Sequence, residues 1–250
     1  MLELDRISKR FGRVTVAEEL SLSVRHGDAV GVVGPNGAGK TSLFGMISGD
    51  LAPDAGEVRF DGRRVTALDA SVRCRLGIGR TYQVPRPFTG LSVFENVLVA
   101  AQQGAGTRGR ASYALAAEVL AGTGLADLAG RPAGRLGLLQ RKRLELARAL
   151  ATRPRLLLLD EVAGGLTDPE VAELVALITA ARARDGLAVI WIEHVVRALT
   201  ATVDRLICLA GGRVVGDGRP LEVLATPAVR EVFLGTEASA DALTEVERDA

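Results

Sequence analysis

Cysteine is almost absent from these 250 residues: only Cys74 and Cys208 occur, and neither belongs to a C-x-x-C pair. That excludes a disulfide framework and a thiolate zinc site, and it suits a reducing compartment. Lysine is as scarce, with Lys9, Lys40 and Lys142 making up three of 31 basic residues, so 28 are arginine. A lysine at a chemically demanding position is therefore informative. The formal net charge of +1 leaves no excess to attract a polyanion, and nucleic acid is not an expected partner. No apolar run approaches the ~20 residues that cross a bilayer. Met1-Leu2-Glu3-Leu4-Asp5 has no basic stretch followed by an apolar one, so a cytoplasmic location without export is expected. No repeat at a period of 20–50 residues is visible. What remains, with 48% hydrophobic residues, is the composition of a globular domain with a sizeable core.

Against this background one segment stands out. Gly34-Pro35-Asn36-Gly37-Ala38-Gly39-Lys40-Thr41-Ser42 matches G-x-x-x-x-G-K-[ST]. In that pattern glycines let backbone N–H groups turn toward phosphate oxygens, the lysine reaches the β and γ phosphates, and the hydroxyl holds Mg²⁺. The context agrees. Residues 28–33 form a β-branched run expected to be a buried strand, and Leu43, Phe44, Met46 and Ile47 follow at helical spacing. A triphosphate would then sit on a helix N-terminus, where free N–H groups and the dipole favour an anion.

The remaining pattern is α/β. Residues 2–7, 14–25, 28–33 and 57–60 read as strands punctuated by Gly12, Gly27, Gly56 and Gly62, so the start of the chain is β-rich. Residues 111–121 and 140–152 read as helices of a helical insertion, the second with Leu144, Leu146, Ala147 and Leu150 on one side. After Arg155, Leu156 to Leu159 form a continuous apolar run ending in Asp160-Glu161, as in a strand buried on both faces. Residues 169–184 should be a helix with Val171, Leu174, Val175 and Ile178 inward, and 187–192 a second buried strand ending at Glu193-His194. Residues 203–217 suggest a hairpin around Gly211-Gly212, and short helices follow near 220–234.

Cleavage of a terminal phosphate needs a metal, charge stabilisation and a water held in line. Thr41 is the expected direct Mg²⁺ ligand, and Asp160 the residue that holds the ion through its coordination shell. Glu161 is placed to orient the attacking water or accept its proton. His194, ending a neighbouring strand, is the expected donor to the γ-phosphate.

On these residues the chain resembles the nucleotide-binding subunits of ATP-binding cassette (ABC) transporters, over residues 1 to about 235. The resemblance implies roles for further positions. Phe11 matches the aromatic that stacks on adenine, Gln83 in Arg80-Thr81-Tyr82-Gln83 the metal-contacting and coupling glutamine, and His194 the switch histidine. Arg80 to Gln83, Glu95 to Val99, Leu144 to Arg148, Ile192 to His194 and Val232-Phe233-Leu234-Gly235 look most like the ATPases of branched-chain amino acid importers. The implied fold is an α/β P-loop NTPase core with a mixed, largely parallel sheet, an N-terminal antiparallel β subdomain and a helical insertion. Residues 1–235 would make one ATPase domain with the helical subdomain at about 84–153, and residues 236–250 a flexible tail. The implied cofactors are ATP and Mg²⁺. The implied partners are a second ABC ATPase subunit, transmembrane permease subunits that hold the chain on the inner face of the cell membrane and, indirectly, a substrate-binding protein. Between Gln83 and Val99 the residues Pro85, Pro87, Phe88, Leu91, Val93 and Phe94 make an apolar, proline-broken stretch expected to receive a permease helix.

One motif departs from the family. The signature, usually Leu-Ser-x-Gly-Gln, falls at Leu136-Gly137-Leu138-Leu139-Gln140, with Gly137 for the serine and Leu139 for the second glycine. In the family this segment binds the γ-phosphate held by the other subunit, so a hydroxyl donor is missing. By analogy with the removal of one oxyanion donor, the loss is on the order of 10²–10³ in rate. That implies an asymmetric pair in which a different ATPase subunit supplies an intact signature. Two other readings stay open: a soluble, non-transport ABC ATPase, and an ATP-binding structural subunit with little hydrolysis.

Overall fold

The computed structural model describes residues 1–193, 199–200 and 202–234. Among these the first elements are β1 (Leu2–Phe11), β2 (Val14–Val24), β3 (Ala29–Val33), α1 (Lys40–Ser48), β4 (Ala55–Phe60), β5 (Arg63–Arg64), α2 (Ala70–Leu76), β6 (Ile78–Arg80) and α3 (Val93–Gln103). They are followed by α4 (Arg110–Gly122), α5 (Leu138–Ala151), β7 (Leu156–Asp160), α6 (Asp168–Asp185), β8 (Ala188–Ile192), β9 (Arg205–Ala210), β10 (Arg213–Gly218), α7 (Pro220–Ala225) and α8 (Pro227–Leu234). Among the described residues two compact units emerge, one from residues 1–69 with those from 188 on and one from residues 70–187.

The first unit holds two sheets. In the antiparallel one the strand order is β2-β1-β4-β5. Leu2, Leu4 and Ile7 of β1 are buried, and the two-residue alternation breaks between Leu4 and Ile7 because Arg6 forms a bulge at φ +45°. In the second sheet β3 lies between β8 and β9, parallel to both, while β10 pairs antiparallel with β9. All five residues of β3 are buried, which is why this strand reads as an unbroken apolar run. Gly31 in its middle is a packing requirement: a Cβ there would lie 2.8 Å from Leu206 Cδ1.

The second unit pairs β6 with β7 in parallel, Gly79 opposite Leu157, and packs α3 against both α4 and α5. The expected helices and strands are found with boundaries moved by a few residues. Leu174 and Ile178 of α6 are buried as expected, whereas Val171 and Val175 are half-exposed. The region read as proline-broken runs into helix α3, which begins at Val93 and opens with a capping box. Ser92 Oγ accepts from the Glu95 N–H at 3.2 Å, and Glu95 Oε2 accepts from the Ser92 N–H at 2.7 Å. Val93, expected on a docking surface, is fully buried. Antiparallel sheet, mixed sheet and helical region together give the expected α/β architecture.

Candidate functional site

The stretch from Gly34 to Ser42 joins the end of β3 to α1. Gly34 has φ +147°, and a Cβ on it would fall 2.1 Å from the Leu209 carbonyl oxygen. Gly39 has φ +99°, and a Cβ on it would fall 2.0 Å from the Val16 carbonyl oxygen. Both positions exclude a side chain twice over, by dihedral and by space. Gly37, at φ +80°, faces open space instead, so its glycine serves dihedral freedom alone. The loop is thus pinned at both ends between neighbouring strands, with Asn36 and Gly37 exposed at its crest.

The nine-residue helix α1 starts without a side-chain cap and with no acidic residue in its first turn. Its N-terminal dipole is left to be complemented by an anion. Thr41 is exposed there, and Ser42 is half-buried. Lys40 is only 6% exposed, and its Nζ donates to the Gly34 carbonyl at 2.6 Å and the Pro35 carbonyl at 3.0 Å. The ammonium therefore lies folded over the same loop whose amides would meet phosphate. Burial pushes the nearby Cys208 thiol up to about 11, with Lys40 pulling the other way. Phe11, at the end of β1, is 51% exposed beside the Lys9 ammonium, 5.5 Å from the ring centroid. This open ring face suits stacking on a flat base.

The second unit assembles the acidic strand end. Asp160, 2% exposed, pairs with Arg80, whose Nη2 donates to its Oδ2 at 2.9 Å. The Thr81 N–H donates to the Leu158 carbonyl at 2.9 Å and the Asp160 N–H to Thr81 Oγ1 at 3.2 Å, extending the pairing with β7 past the end of β6. Glu161 is half-buried and adopts φ +46°, a left-handed backbone unusual for a non-glycine residue. Gln83 Nε2 donates to Glu161 Oε2. Lys142 Nζ, on α5, donates to the carbonyls of both Gln83, at 3.2 Å, and Glu161, at 3.0 Å. Gln83 is thus brought onto Glu161 within this unit, next to Asp160 in the chain. Arg80 and Lys142 join them. Sequence reasoning assigned neither a role in the site.

In the signature segment Leu136 is buried and Gly137 caps α5 with extended backbone, φ −70° and ψ 176°. Its N–H donates to Gln140 Oε1 at 2.8 Å. Any residue can adopt that conformation, but a Cβ at 137 would lie 2.8 Å from Gln140 Oε1, so a side chain there requires the flexible Gln140 to move. Leu138 is 46% exposed, and Leu139 is half-buried. Farther along, Phe88 is 48% exposed and held from behind by buried Asn96, which accepts the Phe88 N–H at 2.8 Å and donates to its carbonyl at 3.0 Å. His194 lies outside the described residues, as do the positions from 236 on. Among the described residues, no helix is long and apolar enough to cross a membrane. Among them, too, no cluster of three or more His, Cys, Asp or Glu side chains forms a metal site. The metal donors in question are a hydroxyl, an amide and one carboxylate, a hard-oxygen set that suits Mg²⁺ shared with phosphates rather than a dedicated cage.

Comparison with known proteins agrees with this geometry. The family described as "ABC transporter" matches residues 17–164. The chain is 33% identical over 249 residues to the high-affinity branched-chain amino acid transport ATP-binding protein BraF of Pseudomonas aeruginosa, covering 94% of this chain and 98% of that one. It is 35% identical over 240 residues to the lipopolysaccharide export system ATP-binding protein LptB of Acidithiobacillus ferridurans, covering 95% and 98%. Among solved structures, a nucleotide-free ATP-binding cassette from an ABC transporter superposes with a TM-score of 0.85 at 28% identity, covering 94% of this chain and 99% of that one. Phosphate loop, acidic strand end and coverage over nearly the whole length lead to one conclusion: the chain belongs to the ABC transporter family, as one of its ATPase subunits.

Proposed function

We propose that this subunit drives a small-solute importer and that the loop Gly34–Ser42 and the pair Asp160-Glu161 act on a single Mg²⁺–ATP. The observation that carries the reading is the phosphate cradle, glycines excluded from any side chain at Gly34 and Gly39 leading into a helix with no side-chain cap. In this reading the backbone from Gly34 to Gly39 and the start of α1 bind the phosphates, Lys40 holds the β and γ groups, and Phe11 stacks on adenine. Thr41, Gln83 and Asp160 would hold Mg²⁺, which when bound offsets the negative charge between the β and γ phosphates. Glu161 orients the attacking water and takes its proton. His194 donates to the γ-phosphate.

The altered signature, Leu136 to Gln140, supports pairing with a different ATPase subunit whose own signature completes the site built on Lys40 and Glu161. Permease subunits would dock on the exposed stretch around Phe88, placing the chain on the inner face of the cell membrane. A substrate-binding protein would act through those permeases. Relatives named for branched-chain amino acid transport, such as BraF, favour that cargo, whereas LptB is named for lipopolysaccharide export. The test is to isolate the co-expressed assembly through a tag on this chain, reconstitute it and measure ATP-driven leucine uptake. Uptake abolished by Glu161→Gln is the expected result. ATPase activity without leucine uptake removes the cargo assignment, and turnover unaffected by Glu161→Gln removes the catalytic one.

A further inference from the structure

Lys142 is 5% exposed on α5. A buried ammonium is tolerated only when its N–H groups are satisfied, and this one donates to two main-chain carbonyls, Gln83 and Glu161. The same two residues are joined by their side chains through the Gln83 Nε2 to Glu161 Oε2 hydrogen bond. Three segments distant in sequence are thereby closed into one triangle.

A second, independent observation concerns the backbone that the ammonium holds. Glu161 sits at φ +46°. For a residue with a Cβ this conformation costs on the order of 1–3 kcal/mol and persists only where the surroundings enforce it. Its carbonyl accepts from the Gly164 N–H at 3.3 Å and from Lys142 at 3.0 Å. The shorter of the two bonds is also the charge-assisted one, and the stronger for it. Two further residues on the same face of α5 grip the loop that begins at Gln83. The Arg86 N–H donates to Glu145 Oε2 at 3.2 Å, and Arg148 Nη1 donates to the Arg86 carbonyl at 2.6 Å. The Arg148 guanidinium also covers the Phe88 ring, 5.1 Å from its centroid. Residues at i, i+3 and i+6 of a helix share a face, so α5 braces the whole loop.

The geometry points to Lys142 as a positioning residue of the ATPase: it holds the main chain of Glu161 in its left-handed conformation against Gln83 and so aims the Glu161 carboxylate. This inference rests on Glu161 activating the water, the reading given above. Lys142 acts through Glu161 and makes no claim on the nucleotide. A compact head with three donors can reach two carbonyls at once, which methionine of similar length cannot.

The experiment compares wild type, Lys142→Met, Lys142→Arg and Glu161→Gln in the tag-isolated assembly. Steady-state ATPase, ATP affinity by equilibrium titration and backbone hydrogen exchange are measured for each. Misplacing a catalytic group by about 1 Å lowers the rate about 10²-fold, so Lys142→Met should lower kcat by about that factor with KM and ATP affinity within about twofold. Lys142→Arg should recover much of the loss. Exchange at the Gly164 amide, which depends on the Glu161 carbonyl staying in place, should rise in Lys142→Met. Combined with Glu161→Gln, Lys142→Met should add no further loss. Wild-type kcat in Lys142→Met, equal losses in kcat and affinity, or multiplicative losses in the double variant would each overturn the positioning role. Glu161→Gln with full turnover refutes Glu161 itself, and in that case the exchange result at Gly164 separates the two failures.

Discussion

Replacing Glu161 by glycine should leave the protein more stable than replacing it by alanine, although both changes delete the same carboxylate. The comparison is clean because both variants lose the Gln83 Nε2 to Glu161 Oε2 bond and both keep the carbonyl that Lys142 and Gly164 engage. They differ only in the Cβ. At φ +46° a Cβ crowds the following carbonyl, which costs about 1–2 kcal/mol. Glycine removes that strain but gives back about 0.5–1 kcal/mol through the greater freedom of its unfolded chain. The net advantage is therefore about 0.75 kcal/mol, and a protein of this size converts that into about 1.5–3 °C of Tm. Thermal unfolding followed by circular dichroism on purified full-length variants measures it, with loss of ATPase activity in both as the control. Alanine equal to or more stable than glycine would show that Glu161 carries no stored strain, and the argument for a backbone held under load would fall with it.

Gly39→Ala should abolish ATP binding and lower stability by more than about 1 kcal/mol, since the new Cβ would sit 2.0 Å from the Val16 carbonyl at a forbidden dihedral; titration calorimetry and thermal unfolding check both effects, and retained binding would refute the cradle. Gly137→Ser with Leu139→Gly, placed in a Glu161→Gln chain so that only the partner's site turns over, should raise ATPase by about 10²–10³, with the Gln140 side chain shifting to clear a Cβ that would lie 2.8 Å from its Oε1; unchanged ATPase would show that the segment does not limit hydrolysis at that site. Cys208, buried and free, should resist a thiol reagent at pH 8 in the native protein and react on unfolding. Its folded pKa is raised from 9.0 to about 11. Its contribution to stability is therefore fully present below pH 9 and is lost as pH rises toward 11, so Cys208→Ala should show a shallower alkaline fall in unfolding free energy than wild type.

The phosphate loop was legible because everything it needs is contiguous: a buried strand, three glycines in positive-φ backbone and a lysine within nine residues. The strand ending at Asp160 was legible for a similar reason, its uninterrupted leucines reporting burial on both faces. Helix α3 carried a visible Ser92-x-x-Glu95 cap, yet the prolines at 85 and 87 drew attention to the loop and away from it. The short elements α2 and β6 have too few residues for a periodic signal.

Sequence alone determined the chemistry on offer, since local backbone freedom and side-chain type decide whether a segment can cradle phosphate or present a carboxylate. Only the tertiary structure decided which groups support which. Lys142 lies 59 residues from Gln83 and 19 from Glu161, and no local pattern encodes their meeting. Nor does a residue type reveal that Glu161 has left-handed backbone, for such strain is imposed by distant hydrogen bonds that exist only once the chain has closed on itself.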